Sequence, residues 1–275
     1  MSRGLVLGGG GVAGVAWEVG LLAGLAEAGV NLGDADLVVG TSAGSVVGAQ
    51  LASGVDLEAA YQRQLADPGA EIAARLPWST ILRWGWASVS HRDPQKARAR
   101  IGAMALAAET VSEADRRAVM ENRVPVREWP ARRLLITAVE AESGEFVVFD
   151  RDSGVPLIDA IGASCAVPGV WPPVTIDGRR YIDGGVRSAA NVDLAQGYDR
   201  VVVVAPLPGG AGSAPSVAKQ AAALTGRVAV VSPDRAARHA FGRNLLDPAS
   251  RAPAARAGRE QAAREAARIT ELWVP

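Results

Sequence analysis

The 275-residue chain holds a single cysteine, two histidines, three phenylalanines and three tyrosines. One cysteine, Cys165, excludes an internal disulfide and fits a reducing compartment, so a cytoplasmic protein is expected. Two histidines, His91 and His239, leave little from which to build a histidine-based triad, and no His/Cys cluster has metal-ligand spacing. Neither a metal nor another cofactor is therefore expected. Charge of one sign is missing too: 29 Lys and Arg balance 29 Asp and Glu, so no basic field draws in nucleic acid. No stretch reaches the roughly 20 uncharged apolar residues of a spanning helix. The nearest is the run at residues 5–25 which, with Arg3 ahead of it and Ala26-Glu27-Ala28 behind, loosely mimics a secretory leader. Glu18 interrupts that run and glycines crowd its first half, so it reads as part of the fold.

What is present is a chain 49% hydrophobic, with a mean hydropathy of +0.12, enough for a sheet covered on both faces. Leu5-Val6-Leu7 runs into the glycines at 8–11, after which Val15, Val19, Leu22 and Leu25 recur at helical spacing. Leu37-Val38-Val39 runs into Gly40-Thr41-Ser42-Ala43-Gly44, and Val46, Val47 and Leu51 again fit a buried helix. Strand, tight turn and helix thus occur twice, which argues for a mostly parallel sheet with helices on both faces. Residues 134–139 and 145–149 predict a hairpin about Ser143-Gly144, followed by a helix at about 156–163. Residues 201–204 and 228–231 predict further strands, and 206–216 a Gly/Pro/Ala-rich loop. Alternating Arg and Glu at 252–272 predict a helix with a solvated face. Three of the seven tryptophans, Trp78, Trp84 and Trp86, crowd one segment. Core packing and an amphipathic edge that touches lipid both remain open there, the second implying peripheral membrane contact. No internal repeat or clean domain boundary appears, and a single domain over 1–275 with a helical tail from about 235 is expected.

Three segments carry chemistry. Gly40-Thr41-Ser42-Ala43-Gly44 fits G-x-S-x-G between a strand and a helix. The turn that lifts a serine clear of a sheet is so sharp that a Cβ two residues to either side would collide with backbone. It also sets the hydroxyl beside the free amides of a helix N-terminus. The glycine segment offers two functional readings. As G-x-G-x-x-G (Gly9, Gly11, Gly14) it matches a dinucleotide fingerprint, yet Asp34 and Asp36 precede the second strand instead of ending it. As a turn it can aim several amides at one point and form an oxyanion hole. With His91 in a polar turn and His239 in a basic stretch, the search for a base moves to carboxylates. Asp183 is the best candidate: it follows Tyr181-Ile182 at an expected strand end, and Gly184 and Gly185 leave room for close approach.

Taken together these elements resemble the patatin-like phospholipases, which pair G-G-G-x-[RK]-G, G-x-S-x-G and a later D-G-[GA]. Here they read Gly9-Gly10-Gly11-Val12-Ala13-Gly14, Gly40-Thr41-Ser42-Ala43-Gly44 and Asp183-Gly184-Gly185, in that order. A fourth match, Ala163-Ser164-Cys165-Ala166-Val167-Pro168-Gly169-Val170-Trp171-Pro172-Pro173, resembles the family's A-S-x-A-x-P-x-x-[FW]-P-P stretch. The resemblance covers about residues 4–205 and departs at one place, where Ala13 stands for the usual basic residue. It implies a three-layer α/β/α sandwich with a mostly parallel central sheet, and a serine acyl hydrolase acting on a lipid or ester substrate. Ser42 would be the nucleophile, Asp183 its base, Gly9, Gly10 and Gly11 the oxyanion donors, and Gly14, Gly40, Gly44, Gly184 and Gly185 supports of the motifs. Neither metal nor cofactor is implied. An acyltransferase using the same dyad, and a non-catalytic lipid or dinucleotide binder, are the alternatives.

Overall fold

The structure, a computed structural model, describes residues 1–67, 74, 92–209 and 214–274. The tryptophan-rich segment at 77–86, His91 and the middle of the loop at 206–216 lie outside the described residues.

Five parallel strands form the body of the sheet: β1 (Arg3–Leu7), β2 (Leu37–Gly40), β3 (Arg133–Glu140), β7 (Arg200–Val204) and β8 (Arg227–Val231), in the order β3-β2-β1-β7-β8. The apolar runs of β2 and β7 are buried on both sides, as a parallel sheet covered by crossovers requires. The two-residue period of a strand splits them between two cores. Leu5, Leu7, Val38, Val202 and Val204 face one core, together with α1 (Gly11–Glu27), α2 (Ala43–Ala52) and α9 (Arg251–Trp273). Val6, Val39, Val201 and Val203 face the other, against the turn at Val192–Ala195 and α7 (Val217–Ala221). Toward the β3 end, α4 (Pro94–Leu106) covers the same side with Ile101 and Ala105. The fold is a three-layer α/β/α sandwich. The remaining described helices are α3 (Leu57–Leu65), α5 (Glu113–Arg123), α6 (Leu157–Ser164) and α8 (Arg235–Phe241).

Three antiparallel strands complete the sheet: β4 (Phe146–Phe149), β5 (Val174–Ile176) and β6 (Arg179–Asp183). Their placement follows from register. Ile136 of β3 pairs with Gly40 on one edge and Phe149 on the other, so β2 and β4 flank opposite edges. Ala138 pairs with Val147 and with Asp183, so β6 lies opposite β4 and therefore on the edge that β2 has just vacated. β3 outruns β2, and β6 comes down its overhang head-on toward the turn that follows Gly40. The expected hairpin, the helix at α6 and the strands at 201–204 and 228–231 all form.

The Arg- and Glu-bearing tail forms α9 with the expected solvated face, and its other side lies along α1 with Ala254, Ala255, Gly258, Gln261 and Ala262 buried. Gly20 and Gly258 let the two backbones approach so closely that a Cβ on either would strike the other helix's carbonyls. Arg259, at the flank of that contact, pairs with Glu27 (2.9 Å) and Glu58 (2.7 Å), while Arg256, Glu260 and Arg264 are exposed.

Candidate active site

Ser42 sits between β2 and α2 with φ 52° and ψ −115°, a left-handed conformation that costs a non-glycine residue roughly 1–3 kcal/mol. Three side chains hold it there. Its amide donates to Ser164 Oγ (2.9 Å), and its carbonyl accepts from Ser45 Oγ (2.7 Å) and Cys165 Sγ (3.3 Å). The small residues of the motif are needed sterically: a Cβ on Gly44 would strike the Leu7 carbonyl, and one on Gly40 would lie 2.6 Å from Ser45 Cα. The side chain of Ser42 is turned to the sheet's carboxyl edge, and the residue is 8% exposed.

Asp183, the last residue of β6, is 6% exposed. One carboxyl oxygen accepts the Gly185 amide (2.7 Å), and the Ser42 hydroxyl lies close enough to the same carboxylate to favour its charged form. Burial raises its pKa to about 6, against the lowering pull of those two donors. The group is thus mostly ionised at neutral pH and still basic enough to receive a proton. Its neighbour Gly184 packs on Thr137, where a Cβ would overlap both the side chain and the carbonyl. The sequence placed Asp183 at the end of a strand. The structure adds that the strand is antiparallel and arrives from above the turn.

The glycine turn lies beside them, with the Cβ position of Gly9 3.4 Å from Ser42 Cβ. Its amides divide. Gly8 donates to Val204 (2.9 Å), Gly9 to Ala189 (2.7 Å), Ala13 to Leu245 (3.0 Å) and Gly14 to Gly10 (2.8 Å). Gly9, expected among the oxyanion donors, is therefore committed elsewhere. Gly10 and Gly11 have no partner for their amides among the described residues, and neither does Ala43, the first residue of α2. Gly11 has φ 63°, which only glycine adopts freely, and it opens α1. Gly14 and Ala43 are in contact range, so the N-termini of α1 and α2 converge on one spot.

Residues 5–195 match the patatin family model, described as patatin-like phospholipase. The chain belongs to the patatin-like phospholipase family. Among characterised folds and curated relatives, it is similar to two uncharacterized NTE family proteins, Mb1092c of Mycobacterium bovis and Rv1063c of Mycobacterium tuberculosis. Each is 34% identical over 182 residues, which is 66% of this chain and 42% of the relative. The chain thus matches less than half the length of those relatives. Two solved structures are also similar: VipD from Legionella pneumophila (TM-score 0.41, 16% identity, covering 74% of this chain and 49% of VipD) and the type III effector ExoU (0.44, 18%, 100% and 54%). Both scores are low, and the fold stands on the strand order described above.

Beyond the patatin-like motifs, the structure adds residues that sequence reasoning missed. Asn191, held in a left-handed conformation (φ 50°), donates to Thr41 Oγ1 (3.0 Å), Thr137 Oγ1 (3.2 Å), the Ser188 carbonyl (3.1 Å) and the Gly184 carbonyl (3.4 Å). It ties the residue before Ser42 to the residue after Asp183. Its only sequence signal is position, eight residues beyond Asp183. Cys165 is buried, with its thiol pushed up to about 11 by burial and by the Asp183 charge, so it supports the Ser42 carbonyl as a neutral group. His239 is exposed on α8, and none of the hydrogen bonds around Ser42 or Asp183 involves it. Among the described residues, no cluster of His, Cys, Asp or Glu is arranged to hold a metal, and no helix is long and apolar enough to cross a membrane.

Proposed function

We propose that this protein hydrolyses carboxylic esters of lipids through an acyl-enzyme on Ser42, with Asp183 as the sole base. The approach of the Ser42 hydroxyl to the buried Asp183 carboxylate, beside the Gly10, Gly11 and Ala43 amides, carries this reading. Asp183 takes the hydroxyl proton as Oγ attacks the ester carbonyl, and gives that proton to the departing alcohol as the tetrahedral intermediate collapses. The carbonyl π electrons become an oxyanion, which the Gly10, Gly11 and Ala43 amides receive at the converging helix N-termini. A water, deprotonated by Asp183, then attacks the acyl-Ser42 carbonyl. The free acid leaves, and Ser42 recovers its proton from Asp183.

Ala13 gives this site no cationic side chain where the family pattern has one, so stabilisation rests on the backbone. Each such donor supplies roughly 3 kcal/mol to the transition state. The test is hydrolysis of p-nitrophenyl esters and of a radiolabelled phospholipid by wild type, Ser42→Ala and Asp183→Asn. Release of free fatty acid by wild type and its loss in both variants is the expected outcome. Label found on an added acceptor alcohol, with no free acid, makes the protein an acyltransferase with the same dyad. Turnover that survives in Asp183→Asn sinks the dyad itself.

A further inference from the structure

Beside the Asp183 loop, a cavity of about 680 Å³ opens between α4, the turn after β6 and α7, and neither Ser42 nor Asp183 lines it. Its apolar wall is Ala97, Ile101, Val186 and Leu224. Its polar side is cationic. The whole chain is neutral, yet this lining holds Arg98, Arg187 and Lys219 against a single carboxylate, Asp193. That carboxylate is already taken: Arg187 grips it through two nitrogens at 2.7 and 2.9 Å, and also donates to Asn191 (2.8 Å) while lying on the Phe146 ring (4.1 Å). Arg187 is therefore fixed in place. Arg98 is half-buried, its Nε is bonded to the Gly144 carbonyl at 2.8 Å, and its Nη groups have no hydrogen-bond partner among the described residues. Lys219 is exposed, and neither it nor Arg98 forms a salt bridge among the described residues, Asp93 acting on Arg98 only through space. Burial, and then the nearby Arg187, disfavour the Arg98 charge more than Asp93 favours it, and a bound anion would offset that cost. A volume of this size lies within the range that takes a small organic ligand.

We propose that this cavity is a second binding site, for a single-chain anionic amphiphile whose carboxylate or phosphate head sits between Arg98 and Lys219 and whose alkyl chain lies along Ile101, Val186 and Leu224. An unoccupied pair of Nη donors matches a planar carboxylate or a phosphate in bidentate fashion. The four apolar residues supply a surface that a free inorganic anion would leave unused. The inference does not depend on the catalytic reading, because binding at this site needs no chemistry at Ser42.

Isothermal titration tests it on the Ser42→Ala protein, so that no probe is consumed. The probes are decanoate, decyl phosphate, decanol and inorganic phosphate, each below its micelle threshold. Decanoate or decyl phosphate is expected to bind at least tenfold more tightly than decanol and than inorganic phosphate, the better of the two naming the head group. Arg98→Ala/Lys219→Ala is expected to lose at least tenfold of that affinity, and Arg98→Lys to keep most of it, with melting temperatures confirming that each variant is folded. Equal binding of decanol removes the cationic role, and equal binding of inorganic phosphate removes the apolar one. Undiminished affinity in the double variant, or no binding of either amphiphile, overturns the proposal.

Discussion

Of the three carboxylic acids buried among the described residues, two, Asp183 at the edge of the sheet and Glu18 on α1, have burial as the effect that sets the direction of their shift. Asp183 is 6% exposed and Glu18 0%. At Asp183 the rise stops at about 6, because the nearby Ser42 hydroxyl and the Gly185 amide favour the charged form. At Glu18 the pKa is driven well above the ordinary carboxylate range by burial. The Gly8 amide lies close enough to pull against that rise, yet it already donates to Val204, and neither Glu18 oxygen has a hydrogen-bond partner among the described residues. The lesson is that burial alone makes a carboxyl inert and protonated, whereas burial with two well-placed donors makes it a base that titrates where it can be used.

Substitution separates the two most sharply. Asp183→Asn is expected to lower kcat for a p-nitrophenyl ester by about 10⁴-fold or more, a loss of the size seen when a nucleophile's base is removed. Glu18→Gln is expected to leave kcat within about twofold, since a neutral acid and an amide differ little where nothing is titrated. A large kcat loss in Glu18→Gln, with Asp183→Asn active, would reverse the roles assigned to the two acids.

Stability is the next contrast, and here both acids act in the same direction. A carboxyl whose folded pKa exceeds its unfolded value binds its proton more tightly when folded. Its contribution is fully present below the unfolded pKa and is lost as pH rises through the folded one. For Asp183 the window runs from 3.8 to about 6, and the shift corresponds to about 3 kcal/mol. Urea denaturation at pH 8 should therefore find Asp183→Asn more stable than wild type by up to that amount. Glu18→Gln should also gain stability at pH 8, on the order of 1 kcal/mol or more, and lose that advantage toward pH 4. Destabilisation of Glu18→Gln at pH 8 means that Glu18 has a partner this account has missed.

The pH–rate profile sharpens the comparison further. Below about pH 6 Asp183 carries a proton and cannot accept another, so kcat/KM of wild type is expected to fall about tenfold per unit there. Glu18→Gln should leave that limb where it is. The smallest expected effect is that of His239→Ala, which should change neither turnover nor profile, because the ring is solvent-exposed and outside the hydrogen bonds of the site. Loss of turnover in a folded His239→Ala protein restores a histidine base.

Much of this was legible locally. β1, β2, β7 and β8 announce themselves as short continuous apolar runs that end in a glycine turn (β1, β2) or just ahead of a proline (β7, β8). The elbow at Ser42 was readable for the same reason, since the steric demand falls on Gly40 and Gly44 within the motif itself. What escaped depends on distant partners. No local pattern says that β6 returns antiparallel along the edge vacated by β2, which is what delivers Asp183 to Ser42. The commitment of the Gly9 amide depends on Ala189, far along the chain. The docking of α9 was hidden because its buried face is built of Ala and Gly, whose weak hydrophobic signal is drowned by the Arg and Glu on the other side. Glu18 read as an interruption of an apolar run. Only the fold reveals that it is wholly enclosed.

The rate at which a fluorophosphonate modifies Ser42, followed from pH 4 to 9 in wild type and in Asp183→Asn, puts the central claim to the most direct trial. Wild type should accelerate to a plateau with a midpoint near 6, and Asp183→Asn should react slowly with no such rise. A variant that labels as fast as wild type, with the same pH profile, contradicts a Ser42 activated by Asp183.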